Sequence, residues 1–341
     1  MRPFTVPWRV VAALLLAGLF AAAMAGGAEE AGAAPAPLRL RSGYSALSGP
    51  HAALWVTKEE GLFEKYGLRV DAIYIRSGSA MAQTLVAGDL QIAQTGGPAV
   101  LAAAVAGADL AIIAVAFNTT PIVLMSVPSV QKIQDLAGKA IGVTRYGSNT
   151  DISARFALRK AGLEPEKQVA VLQLDEYPSI LAAMRSGRIA AGALADPFTI
   201  EAKKMGFRDL VDVAALGLEF PFITLTARKS YLRTHEAVAL NFVRAYSEGI
   251  KLYTTSRETA IRVTARYTRL PDVGILAGTV EYYAPRMSKV PYPTINGVKF
   301  LLEQIAVRNP KARELTPEAF VDLHFVKALE QEGFYRKLYG R

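Results

Sequence analysis

The order in which strand-like and helix-like segments follow one another restricts the fold of this chain more than any other feature. From Leu38 a strand, a loop and a helix alternate, and the same order returns in the middle of the chain. In both series the first helix ends at a glycine, Gly67 and Gly162, and the second at Gly88 and Gly187. Glycine is typical of helix C-termini. The repeat predicts an α/β protein of two similar lobes, each a mainly parallel sheet flanked by helices.

The stretch 140–161 contains the most promising binding loop. A short apolar strand is followed by a turn and an amphipathic helix, and Ser148 can cap that helix while Gly147 permits a positive φ. The first amides of a helix have no partner inside it, and the helix dipole adds positive charge, so an anion is favoured there. Hydroxyls of Ser148 and Thr150 and the guanidinium of Arg145 would complete an anion site. The alternative interpretation is an ordinary capped helix.

Loops rich in Gly, Ser and Thr follow several predicted strands, at residues 43–50, 77–79, 95–98 and 144–150. In open α/β sheets, ligands bind beyond the carboxyl ends of the strands. Two lobes with such loops facing each other would form a ligand cleft lined by backbone N–H groups and hydroxyls. The aromatic side chains that could form its walls are Tyr44, Tyr146 and Phe198.

The chain contains none of the sequence patterns that indicate a catalytic centre. His51, His235 and His324 lie far apart and lack the spacing of metal ligands. There is no cysteine, G-x-S-x-G elbow, Walker A loop or G-x-G-x-x-G motif. Asp151 and Arg155, four residues apart on the predicted helix, are interpreted as a surface ion pair. We therefore expect no enzymatic activity, no cofactor and no metal.

The positive charge of the chain is spread along its length. The formal net charge is +9, but no run of Lys and Arg and no basic stripe with interleaved aromatic residues occurs. This distribution argues against a nucleic-acid partner and is compatible with steering of small anions.

The first residues have the pattern of a secretory signal peptide. Arg2 and Arg9 precede an apolar run over 10–24, and Ala23-Met24-Ala25 forms a small-x-small cleavage site. The run is shorter than the roughly 20 residues that span a bilayer. We expect a signal peptide over 1–25 with cleavage near Ala25, export of the protein, and a flexible leader over 26–37 rich in Ala, Gly, Pro and Glu.

Helical patterns dominate the chain after Phe220. One further strand is predicted over Ile223 to Ala227, and a helical tail of this length would most simply pack around one of the lobes. The predicted helices are Glu236 to Thr255, Ser256 to Tyr267, Asp272 to Tyr283, Ile295 to Arg308 and Thr316 to Glu332.

Several segments, taken in their order and spacing, resemble a known family. They are EEGLFEKYGL (59–68), AGDLQIA (87–93), LAGKAIGV (136–143), Gly147-Ser148, MRSGRI (184–189) and ADPF (195–198). Together they resemble the periplasmic solute-binding proteins of ABC importers, in the group that includes nitrate, sulfonate, taurine and thiamine-precursor binders. The resemblance covers most of the chain after the leader.

This resemblance implies a two-lobe periplasmic binding protein type II fold, in which a hinge closes the lobes on a small-molecule solute. Residues 38–126 and 220–341 would form one lobe and 127–219 the other. The partners would be an ABC permease and its ATPase at the inner membrane, and the protein would be a monomer. The resemblance places ligand contacts at Tyr44, Ser45, Ser77, Gly78, Thr95, Gly96, Thr144, Arg145, Tyr146, Gly147, Ser148, Asn149 and Asp196, to which the helix-start argument adds Thr150.

Two other functions remain open at this point, and so does the solute. The thiamine-precursor branch includes pyrimidine synthases, which need a reactive His and Lys with iron, and here only His51 lies on a predicted cleft loop. A ligand-sensing module would share the same fold. The tryptophans that some sulfonate binders use have no counterpart, because Trp55 lies inside the first helix.

Overall fold

A computed structural model of the protein describes residues 37–340, which contain two five-stranded sheets. The predicted signal peptide, and the predicted leader apart from its last residue, lie outside the described residues. The strands are β1 (Leu38–Tyr44), β2 (Leu68–Tyr74), β3 (Ile92–Thr95), β4 (Leu110–Phe117), β5 (Val123–Ser126), β6 (Ala140–Val143), β7 (Ala170–Gln173), β8 (Ala191–Leu194), β9 (Arg208–Asp212) and β10 (Ile223–Arg228).

Helices flank both sheets, and many of them begin directly after a strand-end loop. They are α1 (Ala52–Glu59), α2 (Leu62–Lys65), α3 (Gly78–Ala87), α4 (Gly97–Val105), α5 (Asn149–Lys160), α6 (Tyr177–Arg185), α7 (Phe198–Lys204), α8 (Lys229–Thr234), α9 (Glu236–Thr255), α10 (Arg257–Thr268), α11 (Val273–Tyr283), α12 (Ile295–Ala306), α13 (His324–Gln331) and α14 (Phe334–Tyr339).

The two sheets share one topology, which confirms the predicted α/β fold of two similar lobes. The first sheet has the order β2-β1-β3-β10-β4 and the second the order β7-β6-β8-β5-β9. In each sheet one strand, β10 or β5, runs antiparallel to both of its neighbours, and the other pairs are parallel. We call the part of the molecule built on the first sheet lobe 1 and the part built on the second sheet lobe 2.

The position of the first crossing between lobes differs from the sequence prediction. Strand β5 pairs with β8 and β9 in the second sheet, so the chain leaves lobe 1 within 118–122 rather than near Ser126. Neither β5 nor β9 was predicted as a strand. The apolar run VLMS gives no sign of its partner, because a four-residue strand has too little pattern to indicate which sheet it joins.

Two predicted helices are interrupted. The helix expected over 51–66 divides into α1 and α2 at Gly61, which has a left-handed backbone with φ of 66°. The helix expected over 316–332 is α-helical only from His324. Before it, one 3-10 turn over Pro317–Phe320 ends where Val321 forms a β-bridge with Ile112 and the Asp322 amide donates to the Ile112 carbonyl. Contact with β4 therefore replaces helical hydrogen bonds in this segment.

The C-terminal helices pack mainly on lobe 1. Helix α9 lies against α1, and its Tyr246 and Tyr253 side chains are buried, as is Trp55 of α1. Helix α12 also reaches lobe 2, where the Phe300 ring meets Phe156 of α5 at a centroid distance of 5.5 Å.

Candidate functional site

A small cavity lies between the two lobes at the ends of the strands. Its volume is about 30 Å³, and we call it the head cavity. Residues of both lobes line it: Ser45, Ala46, His51, Ser77, Gly78, Gly96, Thr144, Ser148, Asn149, Thr150, Tyr177 and Phe222. Most of the predicted ligand residues therefore come together here, namely Ser45, Ser77, Gly78, Gly96, Thr144, Ser148, Asn149 and Thr150.

Four helices begin at the wall of the head cavity. Helix α3 starts at Gly78 and helix α4 follows its N-cap Gly96, both in lobe 1, while α5 starts at Asn149 and α6 at Tyr177 in lobe 2. The N-terminus of a helix carries partial positive charge and unpaired N–H donors. None of the described residues that line the cavity carries a charged side chain apart from His51, whose ring is neutral as shown below. The electrostatic field in the cavity therefore favours an anion.

The start of α5 has the structure of a capped helix with a dense cluster of hydroxyls. Ser148 is the N-cap and its Oγ accepts the Asp151 amide, as predicted for this position. The hydroxyls of Thr144, Ser148 and Thr150 lie 2.9 Å from one another, and Thr150 Oγ1 also accepts the Thr144 amide. Within residues 37–340 the amides of Asn149 and Thr150 have no acceptor. These two N–H groups remain available at the cavity wall.

Ser77 lines the cavity from lobe 1 with an unsatisfied hydroxyl. The residue is buried, and its Oγ has no hydrogen-bond partner within the described part of the chain. Its backbone has a φ of 71°, which is unusual for a residue other than glycine and is held by the bond from its amide to the Ser45 carbonyl. A buried polar group without a partner costs free energy, and a strained backbone is common at functional sites. Both observations point to a ligand contact at Ser77.

His51 lines the same cavity as a neutral ring. Both ring nitrogens face hydroxyls, with Nε2 3.2 Å from Ser45 Oγ and Nδ1 3.5 Å from Ser48 Oγ. Burial lowers the pKa of His51 to about 3. The imidazole therefore holds the Ser45 and Ser48 side chains in place and adds no positive charge at neutral pH.

The loop before α5 does not present its charged and backbone donors to the cavity in the way that the sequence suggested. Gly147 has the predicted positive φ, 76°, but its amide donates to the Asp151 carboxylate at 2.8 Å. The Arg145 guanidinium pairs with Asp175 at 2.7 Å. Neither group lies in the lining of the head cavity, because acidic side chains near in space already bind them.

Other predicted ligand residues also lie outside the lining. Tyr146 is partly exposed, and its hydroxyl donates to the Val171 carbonyl. Tyr44 packs in the aromatic core of lobe 1, with its ring stacked on Tyr74 at 5.5 Å. Thr95 is fully buried.

Asp196 contacts lobe 1 through its backbone rather than lining the head cavity. Its carbonyl accepts the Gly49 amide at 3.1 Å, and its amide donates to the Tyr283 hydroxyl at 3.0 Å. Burial raises the pKa of the Asp196 carboxyl to about 6. The residue therefore joins lobe 2 to the loop before α1 and to α11.

The pair Asp151 and Arg155 is buried, which corrects the prediction of a surface ion pair. The side chains are 1% and 6% exposed, and Arg155 also binds Glu166 at 2.6 Å. The prediction treated α5 as a helix with one solvent-facing side. In the structure the rest of lobe 2 packs against the side that carries Asp151 and Arg155, so both side chains are buried. Asp151 thus sits at the helix start as a buried carboxylate with a fixed partner.

Several lining residues were absent from the predicted set. Ala46 lies in the predicted loop 43–50, and His51 directly follows that loop. The sequence therefore identified the loop as part of the site, but not these two residues. Tyr177 and Phe222 have no polar signal in the sequence, and the packing of the two lobes brings them to the cavity.

Direct contacts around the cavity hold the lobes together. Ser79 Oγ donates to the Tyr146 carbonyl at 2.7 Å, and Asn149 Nδ2 donates to the Phe222 carbonyl at 2.8 Å. A cavity of about 30 Å³ has room for little more than one water molecule. A solute with several heavy atoms can therefore enter only when the lobes separate, and the described arrangement is a closed one.

His51 and Asp196 should give the stability of the protein opposite pH dependences. Below pH 6.5 the unfolded chain protonates its histidine while the folded protein does not, so His51 makes stability fall as the pH falls. Asp196 is ionised above its ordinary pKa of 3.8 in the unfolded chain, but in the folded protein it stays protonated up to about pH 6. It makes stability fall as the pH rises from about 4 to 6.

Between pH 7 and pH 5, His51 should lower the free energy of unfolding by about 2 kcal/mol and Asp196 should raise it by about 1 kcal/mol. Denaturant unfolding of the wild type, His51→Asn and Asp196→Asn at both pH values measures the two effects. His51→Asn should lose less stability than the wild type on acidification, and Asp196→Asn should lose more. Parallel pH curves for the three proteins would contradict the burial of these groups.

Within residues 37–340 no group of three His, Cys, Asp or Glu side chains is arranged to hold a metal ion. Among the helices of this part of the chain, none combines the length and the apolar character that crossing a bilayer requires.

Comparison with known proteins gives consistent matches. A family described as NMT1-like matches residues 33–267. A protein of Brucella abortus, described as a candidate binding protein, is 29% identical over 243 residues, which are 69% of this chain and 73% of that protein.

Solved structures share the fold. The alkanesulfonate-binding protein SsuA of Xanthomonas axonopodis pv. citri, bound to MOPS, has a TM-score of 0.71 at 20% identity, covering 85% of this chain and 100% of that one. The periplasmic nitrate-binding protein NrtA of Synechocystis PCC 6803 has a TM-score of 0.72 at 14% identity, covering 88% and 90%. At such identities the likeness concerns the fold, which is that of periplasmic binding proteins with two lobes.

Proposed function

The chain belongs to the NMT1-like family, and from this membership and the geometry of its cleft we propose that it is the solute-binding component of an ABC importer. In this proposal it is a periplasmic monomer, exported by a signal peptide cleaved near Ala25. It closes its two lobes on a small organic anion and delivers that anion to a permease and ATPase at the inner membrane. It acts as a binding protein and not as an enzyme, which the description of its relative as a binding protein supports.

The head cavity is the observation that carries the proposal. It is lined by residues of both lobes, it is lined without charged side chains among the described residues, and helix starts from both lobes meet at its wall. Binding by hydroxyls, amides and helix dipoles suits an oxyanion, because these donors stabilise negative charge without a counter-ion. Fold neighbours named for alkanesulfonate and nitrate binding support the same class of ligand.

The head of the anion would sit among Ser77 of lobe 1 and Ser148, Asn149 and Thr150 of lobe 2. This modifies the hypothesis drawn from the sequence, in which Arg145 and the Gly147 amide took part, because Asp175 and Asp151 bind those two groups. A ligand that touches both lobes stabilises an arrangement in which they close around it, less tightly than in the described one, whose cavity of about 30 Å³ has room for little more than a water molecule. Binding would drive hinge closure in this way.

Native mass spectrometry of protein purified without denaturation tests the proposal directly. We expect a co-purified small molecule that is an organic anion, released on mild unfolding and absent from a refolded sample. Recovery of a cationic or metal-containing species instead would contradict the proposal.

Ser77→Ala and Ser148→Ala should separate binding from stability. The Ser77 hydroxyl has no protein partner within residues 37–340, so its removal should leave the melting temperature of the free protein unchanged. Loss of a hydrogen bond to a charged group, worth about 1.5–3 kcal/mol, should weaken binding about tenfold to a hundredfold. Ser148→Ala also removes a helix cap and should lower the free energy of unfolding by about 1 kcal/mol.

Titration calorimetry with methanesulfonate and thermal unfolding of the same samples provide both readouts. If Ser77→Ala binds methanesulfonate as tightly as the wild type, the anion head does not reach Ser77 and the proposed site is wrong.

A further inference from the structure

Asp196 lies at a contact between the lobes that is outside the lining of the head cavity. The residue precedes α7 of lobe 2, and its main chain binds lobe 1 twice, through the Gly49 amide and the Tyr283 hydroxyl. Lys204 of α7 and Asp272, the N-cap of α11, form an ion pair across the same contact. Because these bonds join different lobes, they must break when the lobes separate.

The Asp196 carboxyl has no partner at this contact. The residue is 8% exposed, and within the described part of the chain its oxygens accept no hydrogen bond and form no ion pair. The two cations that act on it are bound elsewhere. Lys203 pairs with Asp209 at 2.7 Å, and Arg286 donates to the Tyr282 carbonyl at 2.6 Å. A buried carboxylate without a partner is disfavoured, whereas the neutral acid is tolerated.

The charged and titratable groups that face this carboxyl come from both lobes. They are Lys203 of α7, Asp209 of β9, Tyr253 of α9, Tyr282 and Tyr283 of α11, and Arg286 of the turn after α11. Burial has the largest effect and, with the Asp209 charge, raises the pKa of Asp196 to about 6 against the two cations. Tyr253 and Tyr283 of lobe 1 are fully buried beside it. Separation of the lobes gives the carboxyl access to water, so its pKa should return towards the ordinary 3.8.

We propose that proton binding at Asp196 controls the separation of the lobes, so that an acidic medium holds the ligand-free protein closed and a neutral medium favours its opening. The closed form binds this proton more tightly than the open form does. It therefore gains population as the pH falls. The inference goes beyond the proposed function and does not depend on which solute binds. Because a solute can enter only between separated lobes, its capture would slow in an acidic medium.

Native-state hydrogen exchange of the ligand-free protein measures this opening even when the open form is rare. The reporters are the amides of Gly49 and Asp196, because both donate hydrogen bonds across the contact. After correction for the intrinsic exchange rates, the opening constant should be about tenfold larger at pH 7.5 than at pH 5. The reason is that about nine-tenths of the closed form is protonated at pH 5 and almost none at pH 7.5. Amides of β1 and β6, which lie inside the two sheets, report larger unfolding and are the internal control.

Asp196→Asn removes the titrating group and leaves the shape of the side chain. Both hydrogen bonds of residue 196 to lobe 1 are made by its main chain, so the variant keeps them. The ratio of its opening constants at pH 7.5 and pH 5 should be about tenfold smaller than the wild-type ratio. His51 is present in both proteins, so any contribution of its ring cancels in this comparison. Equal ratios in the two proteins would overturn the inference.

Asp209→Asn tests the same carboxyl through a neighbour. The substitution removes a negative charge and releases Lys203, at a side chain that is 46% exposed and should tolerate the change. The midpoint of the pH dependence of opening should therefore move below about pH 6. The matched control is Asp71→Asn, which removes a 38% exposed carboxylate that does not act on Asp196 and should leave the midpoint unchanged. A midpoint that stays or rises in Asp209→Asn, or that moves equally in both variants, would assign the titration to another group.

Discussion

Replacing Arg155 with alanine should lower the free energy of unfolding by about 3–5 kcal/mol. Asp151 is 1% exposed and its carboxylate binds Arg155 and the Gly147 amide. Without the guanidinium this carboxylate stays buried with only the amide and the helix dipole to compensate its charge. The desolvation penalty of an unpaired buried charge then falls on the folded state alone. Chemical denaturation monitored by circular dichroism measures the loss.

Two comparison variants establish that burial is the cause. Arg257→Ala removes an exposed ion pair with Glu281, whose partners are 62% and 64% exposed, and should cost less than about 1 kcal/mol. The double variant Asp151→Asn with Arg155→Met removes both charges but keeps an acceptor for the Gly147 amide, so it should recover most of the stability. An Arg155→Ala loss no larger than that of Arg257→Ala would show that Asp151 does not depend on its cation.

Replacing Gly96 with valine should weaken ligand binding at least a hundredfold, about 2.7 kcal/mol, with little effect on the stability of the free protein. Gly96 is the N-cap of α4 in lobe 1, and a Cβ atom there would lie 2.6–2.8 Å from the side chain of Asn149 in lobe 2. Its φ of −74° is allowed for any residue, so the substitution does not strain lobe 1. The three atoms nearest to the added Cβ all belong to Asn149, so this obstacle comes from the facing lobe.

X-ray scattering together with calorimetry measures this effect, with methanesulfonate as the probe. At saturating ligand the wild type should become more compact, whereas Gly96→Val should stay expanded. Gly78→Ala is the matched control on the same cavity wall, because its Cβ would meet Thr95 of its own lobe at an ordinary 3.4 Å. If Gly96→Val compacts and binds as the wild type does, closure does not need the contact between Gly96 and Asn149.

The local parts of the fold could be predicted, and the pairing of distant segments could not. The glycines at helix ends and the apolar strands revealed two equivalent lobes, because these signals depend on a few neighbouring residues. The sheet to which β5 belongs depends on contacts with β8 and β9, which lie more than 60 residues later. No property of the sequence VLMS indicates those partners.

The same distinction applies to the site. Strand-end loops with small and hydroxyl residues identified Ser77, Gly96 and Ser148, since helix starts and strand ends have local signatures. The sequence could not show that Asp175 binds Arg145, because the bond joins residues 30 apart that meet across the sheet. The anion site predicted from the sequence included the guanidinium of Arg145, which does not line the head cavity. The hydroxyl residues of the predicted site, Ser148 and Thr150, do line it.

The two antiparallel strands also have a consequence for the order in which the chain folds. All strands of the second sheet lie between Val123 and Asp212, and these two residues are register partners on adjacent strands. The first sheet needs β10 beside β4, and β10 follows only after lobe 2 has been synthesised. Once lobe 2 has folded, the loop that joins β4 to β10 shortens effectively from about a hundred residues to about fifteen, which removes roughly 1.5 kcal/mol of closure entropy. Folding of lobe 2 thus favours the pairing of β4 with β10 in lobe 1. A variant that unfolds lobe 2 should therefore destabilise the first sheet without altering the contacts within that sheet.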